Sequence, residues 1–187
     1  MAKKAAVCGM LVALAMIFSY VEALIPINFG VPGIKLGLAN LVVLYGLYMM
    51  KPSEVFTVSI VRILLTGFMF GNGMSIIYSL AGGILSFAVM LPLTRMNKKP
   101  FHGPGRGGQQ VSRPDLSSST LSPIGVSAAG AVSHNIGQIL VAAAVLKSAA
   151  LFYYLPALIL SGVVTGVLMG ILIQRILKIL PKVGEGS

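Results

Sequence analysis

Acidic residues, cysteine and tryptophan are scarce in this chain. Its 187 residues include one cysteine, no tryptophan and only four carboxylates, which are Glu22, Glu54, Asp115 and Glu185. Most hydrolase, nuclease and magnesium-dependent transferase mechanisms need more acids than this, so the composition argues against an enzyme. Cys8 alone can form neither an internal disulfide nor a CxxC metal or redox site. The sequence also has no GxxxxGK[ST] phosphate-binding loop, which excludes the use of ATP by that route.

Charge is sparse, and apolar residues are abundant. Charged residues make up 10% of the chain and apolar residues 56%, whereas soluble domains carry about 25% charged residues. Runs of about 20 apolar residues are long enough to cross a hydrocarbon core of about 30 Å. The sequence therefore predicts a single all-α integral membrane domain, a bundle of six transmembrane helices at about residues 5–24, 34–50, 53–70, 74–93, 123–146 and 151–180.

One long polar segment separates the fourth and fifth predicted helices. Residues 97–122 are rich in glycine, serine, proline and glutamine and have no hydrophobic period. This composition predicts a flexible connector between two three-helix halves. Contact with RNA is disfavoured because the basic, glycine-containing part of the segment has no aromatic side chains on which bases could stack.

The basic residues predict the orientation of the helices. Lysine and arginine collect in cytoplasmic loops of membrane proteins. If the N terminus is cytoplasmic, the outer loops contain Lys147 alone, and both termini and the 97–122 connector are cytoplasmic. Membrane topology then accounts for the net charge of +10, without a nucleic-acid partner. We expect a multi-pass protein of the cell membrane, surrounded by lipid, with eleven cytoplasmic basic residues: Lys3, Lys4, Lys51, Arg95, Lys98, Lys99, Arg106, Arg113, Arg175, Lys178 and Lys182.

Small residues spaced by four mark faces through which membrane helices can approach closely. On the fifth and sixth predicted helices we expect these faces to pack inside the bundle. On the first helix the small face lies in the cytoplasmic half and is a candidate contact with another subunit. The three sets are Ala5, Gly9 and Ala13; Gly125, Ala129, Ser133 and Gly137; and Gly162, Gly166 and Gly170.

Polar and charged residues within or at the edges of the apolar segments need a partner or a water-filled cavity. A charge at the centre of a membrane helix costs about 2.5 to 3.5 kcal/mol on insertion scales. Arg62 lies near the middle of its predicted helix, and two interpretations are open. The polar residues form a structural network in which Arg62 pairs with Glu22 or with helix carbonyls, or they line an outward-facing ligand cavity. The set comprises Glu22, Lys35, Asn40, Arg62, His134, Asn135 and Gln138.

Five stretches resemble the Gx transporter family, whose members are often labelled heptaprenyl diphosphate synthase component I. They are, in order, PGIKLGLAN, SIVRILLTG, SLAGGILSFAVM, GVSAAGAVSHNIGQ and YLPALILSGVVTGVLMG. That family in turn resembles the substrate-binding S components of energy-coupling factor (ECF) transporters. The resemblance implies a six-helix subunit that binds a vitamin-like molecule from outside, with the loop between the first two helices helping to cover it. It also implies a transmembrane coupling subunit and two ATPase subunits, with docking through Ala5, Gly9 and Ala13.

The leading hypothesis is therefore the S component of an ECF-type importer, with no catalytic residues, metal or cofactor. Lys35 and Arg62 are expected to hold an anionic or strongly polar group of a small-molecule substrate, and Glu22 to be a counter-charge or a direct contact. We expect Arg62 to bind ligand because Glu22 lies toward the outer end of its helix, whereas His134 and Gln138 share the depth of Arg62. The remaining hydrogen-bonding partners are expected to be Asn40, His134, Asn135 and Gln138.

Two alternatives from other classes stay open. A non-catalytic membrane partner of a heptaprenyl or polyprenyl diphosphate synthase in isoprenoid quinone biosynthesis needs a cytoplasmic docking surface for the enzyme. The chain has no aspartate-rich motifs that could hold Mg²⁺ and a diphosphate, so it is not expected to make prenyl chains itself. A stand-alone secondary transporter needs a coupling ion and a second acid in the membrane, which this chain lacks.

The predicted orientation can be tested by labelling in intact cells. In a Cys8→Ala background, Gly107→Cys should react with an impermeant thiol reagent only after the cells are permeabilised, because positive loops face the cytoplasm. Ser148→Cys, in the outer loop beside Lys147, is the control that should react without permeabilisation. Labelling of Gly107→Cys in intact cells would mean that the orientation is inverted and that the cavity faces the cytoplasm.

Overall fold

The computed structural model describes residues 2–24, 38–96 and 122–179, and within these ranges the fold is all-helical. The helices are α1 (Ala2–Leu24), α2 (Asn40–Met49), α3 (Pro52–Phe70), α4 (Gly73–Met96), α5 (Pro123–Leu146) and α6 (Leu155–Ile179), and a 3₁₀ segment, Ala149–Tyr154, leads into α6. Except for Ser122, the predicted 97–122 connector lies outside the described residues.

Local sequence signals set several of the helix ends. Proline occupies the first turn of α3 and of α5, where its missing N–H has no helical acceptor to lose. The Ser122 hydroxyl accepts a hydrogen bond from the backbone N–H of Gly125 at 3.2 Å and so caps α5. At the start of α3, the carboxylate of Glu54 accepts from the backbone N–H of Lys51 at 3.4 Å. Helix α5 ends at Lys147, whose φ of 48° stops the helix.

Among the described residues, five helices are long and apolar enough to cross a membrane, whereas six spans are predicted. The difference lies in α2, for which the sequence predicts residues 34–50. Leu38 and Ala39 form a turn, the helix covers ten residues, and residues 34–37 lie outside the described part. Ten residues rise about 15 Å, which is half of a hydrocarbon core. The described α2 is buried by protein, and an apolar helix surrounded by protein need not be long. The sixth span stays a prediction.

Helix α2 lies at the centre of the bundle and contacts each of the five other helices. None of its ten residues is exposed, and eight are buried. Leu44 and Leu47 belong to a core cluster that also contains one or more buried residues from every other helix: Leu11, Ala15, Val55, Val58, Met90, Val126 and Ile173. The longer helices are therefore arranged around a short apolar centre.

Glycines bring α5 and α6 into backbone contact, which confirms the expected internal face of α6. A β-carbon at Gly166 would lie 2.5 Å from the α-carbon of Ala128, and one at Gly170 would lie 2.5 Å from the α-carbon of Ile124. On the other side of α5, a β-carbon at Gly137 would lie 3.0 Å from the α-carbon of Gly82 on α4. Side chains at these positions would force the helices apart, so α4, α5 and α6 form one closely packed unit.

Helix α1 lies at the side of the bundle, where it contacts α2 and α3. Its buried face includes Leu11, Ala15, Ser19 and Glu22. The small residues Ala5, Gly9 and Ala13 are all exposed, and a β-carbon at Gly9 would meet no atom within 4 Å. The small face of α1 therefore points away from the other described helices.

The same substitution should have opposite effects on these two kinds of glycine. We expect Gly166→Ala to destabilise the isolated protein by about 1 to 3 kcal/mol, because its methyl group overlaps the α5 backbone. Gly9→Ala should leave stability unchanged or raise it by up to about 1 kcal/mol, since alanine favours a helix and the site is open. Thermal unfolding in detergent measures both variants. Equal melting temperatures would contradict the close contact between α5 and α6.

Candidate functional site

A small polar cavity lies between four helices. Ser19 and Glu22 of α1, Arg62, Ile63 and Thr66 of α3, Ser79 of α4 and His134 of α5 line it. Its volume is about 20 Å³, and about 10 to 15 Å³ is enough for one water molecule. Ile63 is the one aliphatic side chain among these seven, although the surrounding helices are mostly apolar. The cavity thus gathers hydroxyl, carboxylate, guanidinium and imidazole groups inside an apolar bundle.

Helical spacing places the polar groups on the buried faces of their helices. Arg62 and Thr66 are four residues apart, so they lie one turn apart on the same face of α3. Ser19 and Glu22 are three residues apart and continue the buried face that α1 presents to the bundle. The buried faces through which α1 and α3 pack against the bundle therefore also carry the polar groups that line the cavity.

Glu22 and Arg62 approach each other from α1 and α3. Each side chain is 7% exposed, and the two attract each other electrostatically. Beside them, the rings of Tyr20 and Phe70 pack at a centroid distance of 5.1 Å and link the same two helices. Glu22 was expected toward the outer end of its helix, away from the depth of Arg62, but α1 carries its carboxylate to the same cavity. The attraction makes Glu22 a candidate counter-charge for the guanidinium.

Two donors on α3 have no hydrogen-bond acceptor within the part of the chain that the structure describes. They are Nε of Arg62 and Oγ1 of Thr66, whose residues are 7% and 3% exposed. Buried donors in folded proteins are nearly always hydrogen-bonded. Because both residues line the cavity, the two donors mark a place suited to an acceptor atom from outside the described residues.

Glycine on α4 lets His134 reach the cavity. A β-carbon at Gly82 would lie 2.7 Å from the backbone oxygen of His134 and 2.9 Å from its Cε1 atom. At the next position, a β-carbon at Gly83 would lie 2.8 Å from Cδ1 of Ile63, which also lines the cavity. The two glycines thus allow α3 and α5 to approach α4 at the level of the site.

The structure separates the predicted site residues. Glu22, Arg62 and His134 line the cavity, whereas Asn40 and Asn135 do not. The side-chain amide of Asn40 donates to Oγ of Ser86 at 3.2 Å and links α2 to α4. The amide of Asn135 donates to the backbone oxygen of Leu158 at 2.7 Å and links α5 to α6. Both asparagines thus make contacts between helices.

Gln138 and Lys35 complete the predicted set. Gln138 is fully buried near Gly82 and does not line the cavity, whereas Lys35 lies outside the described residues. The predicted set did not include Ser19, Thr66 or Ser79, which line the cavity. Helical spacing from Arg62 and Glu22 would have indicated Thr66 and Ser19. Within the described ranges, no group of three or more metal-ligating side chains occurs.

A comparison with family models gives one match. The model described as heptaprenyl diphosphate synthase component I matches residues 11–104 and 111–176 of this chain. Neither the comparison with curated proteins nor the comparison with solved structures gives a match. The matched ranges include α2 to α5, nearly all of α6 and the part of α1 that lines the cavity.

The attraction between Glu22 and Arg62 should appear in a double-mutant cycle. Glu22→Gln and Arg62→Gln each leave one buried charge without its counter-charge, so each should cost about 3 to 5 kcal/mol. The double variant should lose less stability than the sum of the two, with a coupling of about 0.5 to 3 kcal/mol. The free energy of unfolding in mixed detergent micelles is the measurement.

The control cycle crosses Arg62→Gln with Glu54→Gln. Glu54 caps the start of α3, eight residues or about 12 Å along the helix from Arg62, and these two changes should be additive. Additive effects of Glu22→Gln and Arg62→Gln would show that the two groups do not interact.

Proposed function

The chain belongs to the heptaprenyl diphosphate synthase component I family, and we propose that it is the substrate-binding S component of an ECF-type importer. In this proposal it lies in the cell membrane, has no enzymatic activity of its own, and binds a small vitamin- or cofactor-like molecule. The observation that carries the proposal is the polar cavity between α1, α3, α4 and α5. A non-transporting membrane anchor has no need for buried, opposite charges beside donors that lack acceptors.

The position of the cavity along the helices supports uptake. Glu22 lies near the end of α1, Thr66 near the end of α3 and Ser79 in the second turn of α4. These positions belong to the half of the bundle that the distribution of basic residues predicts to face outward. Ionisable groups inside membrane helices usually face an interior cavity and mark a substrate or ion pathway. A ligand entering from outside would reach this site before the apolar core around α2.

The exposed face of α1 supports assembly with a coupling subunit. Ala5, Gly9 and Ala13 leave a groove that another helix backbone could enter, and no described helix occupies it. The sequence has no phosphate-binding loop of its own. In the proposed complex a transmembrane coupling subunit docks on this face, and two ATPase subunits supply the energy for release into the cytoplasm.

The family description favours one alternative, a non-catalytic membrane partner of a polyprenyl diphosphate synthase. Such a partner would bind a soluble prenyltransferase on the cytoplasmic side. The cavity among α1, α3, α4 and α5 would then have no part in the interaction. Identification of co-purified proteins separates the two functions.

We expect tagged protein purified from its native membrane to retain a transmembrane coupling subunit and two ATPases. Gly9→Leu should remove these subunits, because its side chain fills the groove, while the isolated protein stays folded. Gly73→Leu is the matched control: a β-carbon at Gly73 also meets no atom within 4 Å, but this residue lies at the start of α4. Recovery of a soluble prenyltransferase instead would favour the alternative. If Gly9→Leu still retains the coupling and ATPase subunits, the proposed docking through α1 is contradicted.

A further inference from the structure

The charges and donors of the cavity define what kind of chemical group it can hold, and this inference rests on the proposed function. The described lining contains one positive group, Arg62, and one formally negative group, Glu22, together with three hydroxyl side chains and an imidazole. Its charge is therefore balanced when His134 is neutral. A ligand with a net negative charge is attracted by Arg62 but repelled by the buried carboxylate of Glu22.

The two donors on α3 call for an acceptor. Nε of Arg62 and Oγ1 of Thr66 lie one helical turn apart and have no acceptor within the described residues. One or two oxygen atoms of a ligand group can accept from them. A phosphate would instead place a net negative charge beside the carboxylate of Glu22.

On the opposite wall of the cavity, the carboxylate of Glu22 is complementary to a hydrogen-bond donor of the ligand. An ionised carboxylate offers about four acceptor positions, so its attraction to Arg62 leaves capacity for a further donor. Ser19 and Ser79 lie on the same cavity and can each donate or accept. A ligand that carries an acceptor oxygen beside an N–H group would match both walls without adding net charge.

We propose that the cavity holds a substrate head group of no net charge, whose oxygen accepts from Arg62 and Thr66 and whose nitrogen donates to Glu22. An amide and an amino-carboxylate zwitterion both have this chemistry. The sequence left both anionic and strongly polar head groups open. A head group of no net charge is a narrower class, which excludes phosphate and diphosphate. The proposal also explains why a carboxylate is retained beside the guanidinium in a binding site.

Four probes of similar size test the proposal on the isolated chain in detergent. They are acetamide, glycine, acetate and inorganic phosphate at matched ionic strength, with thermal stability as the measurement. Because phosphate and small osmolytes stabilise many proteins in general, the decisive quantity is the difference between wild type and Thr66→Val. Thr94→Val is the matched control, since Thr94 is equally buried but donates to the backbone oxygen of Leu91 at 2.9 Å, away from the cavity.

We expect acetamide, glycine or both to stabilise wild type and Thr94→Val saturably, and to bind Thr66→Val about tenfold more weakly. Stabilisation by acetamide alone identifies an amide head group, and stabilisation by glycine alone identifies an amino-carboxylate. Without ligand, Thr66→Val should melt at a higher temperature than wild type, because it removes a buried hydroxyl that has no acceptor. Glu22→Gln should shift the preference toward acetate, since the lining then carries a net positive charge.

Two results would overturn the proposal. One is that acetate or phosphate stabilises wild type in a Thr66-dependent manner at least as strongly as the two neutral probes. The other is that no probe distinguishes Thr66→Val from Thr94→Val. Neither result depends on the coupling subunit, because the assay uses the isolated chain. Failure of the importer proposal would appear separately, as the absence of coupling and ATPase subunits after purification.

Discussion

A buried guanidinium and a buried carboxylate on neighbouring helices impose the main constraint on this fold. Arg62 and Glu22 lie in an apolar bundle where neither charge is tolerated alone. Their attraction favours a depth and rotation at which α1 and α3 both reach the cavity, and the rings of Tyr20 and Phe70 pack between the same two helices. Once α1 is fixed in this way, its small face must point outward and its polar residues must enter the cavity. The geometry of the site and that of the proposed docking face therefore have a common origin.

The two sides of the bundle are held together by different means. On one side, glycines place α4, α5 and α6 in backbone contact, and the amide of Asn135 joins α5 to α6. On the other side, α1 contacts α2 and α3 with a buried face that carries Leu11, Ala15, Ser19 and Glu22, and Glu22 attracts Arg62. Close packing between helices makes many van der Waals contacts and leaves little room for movement. The cavity lies between these two sides, where α1 and α3 meet α4 and α5.

Hydropathy and helix-end signals predicted most of the helices, because long apolar runs and proline or serine at helix starts act locally. The described α2 covers ten residues of its predicted run, and hydropathy does not distinguish lipid from protein as the surrounding medium. The expected role of the α6 glycines was confirmed, since spacing by four has a direct geometric meaning on one helix. Among the site residues, depth along the helix correctly indicated that Arg62 and His134 lie at the same level, where both line the cavity. It could not separate them from Asn135, which bonds to α6, or from Gln138, which lies one turn from His134 and meets the same glycine, Gly82. The binding roles themselves stay predictions.

The burial of α2 has a consequence for the biogenesis of the protein. The chain is synthesised from its N terminus, so α2 is made second, yet nearly all the surface that covers it belongs to helices made later. The described helix is short for a span and presents no exposed residue that could face acyl chains. Its stable position therefore does not exist until α3 to α6 have entered the bilayer. The order in which the helices are made therefore differs from the order in which they reach their final environment. Helix α2 is made second but is among the last to be covered by its neighbours.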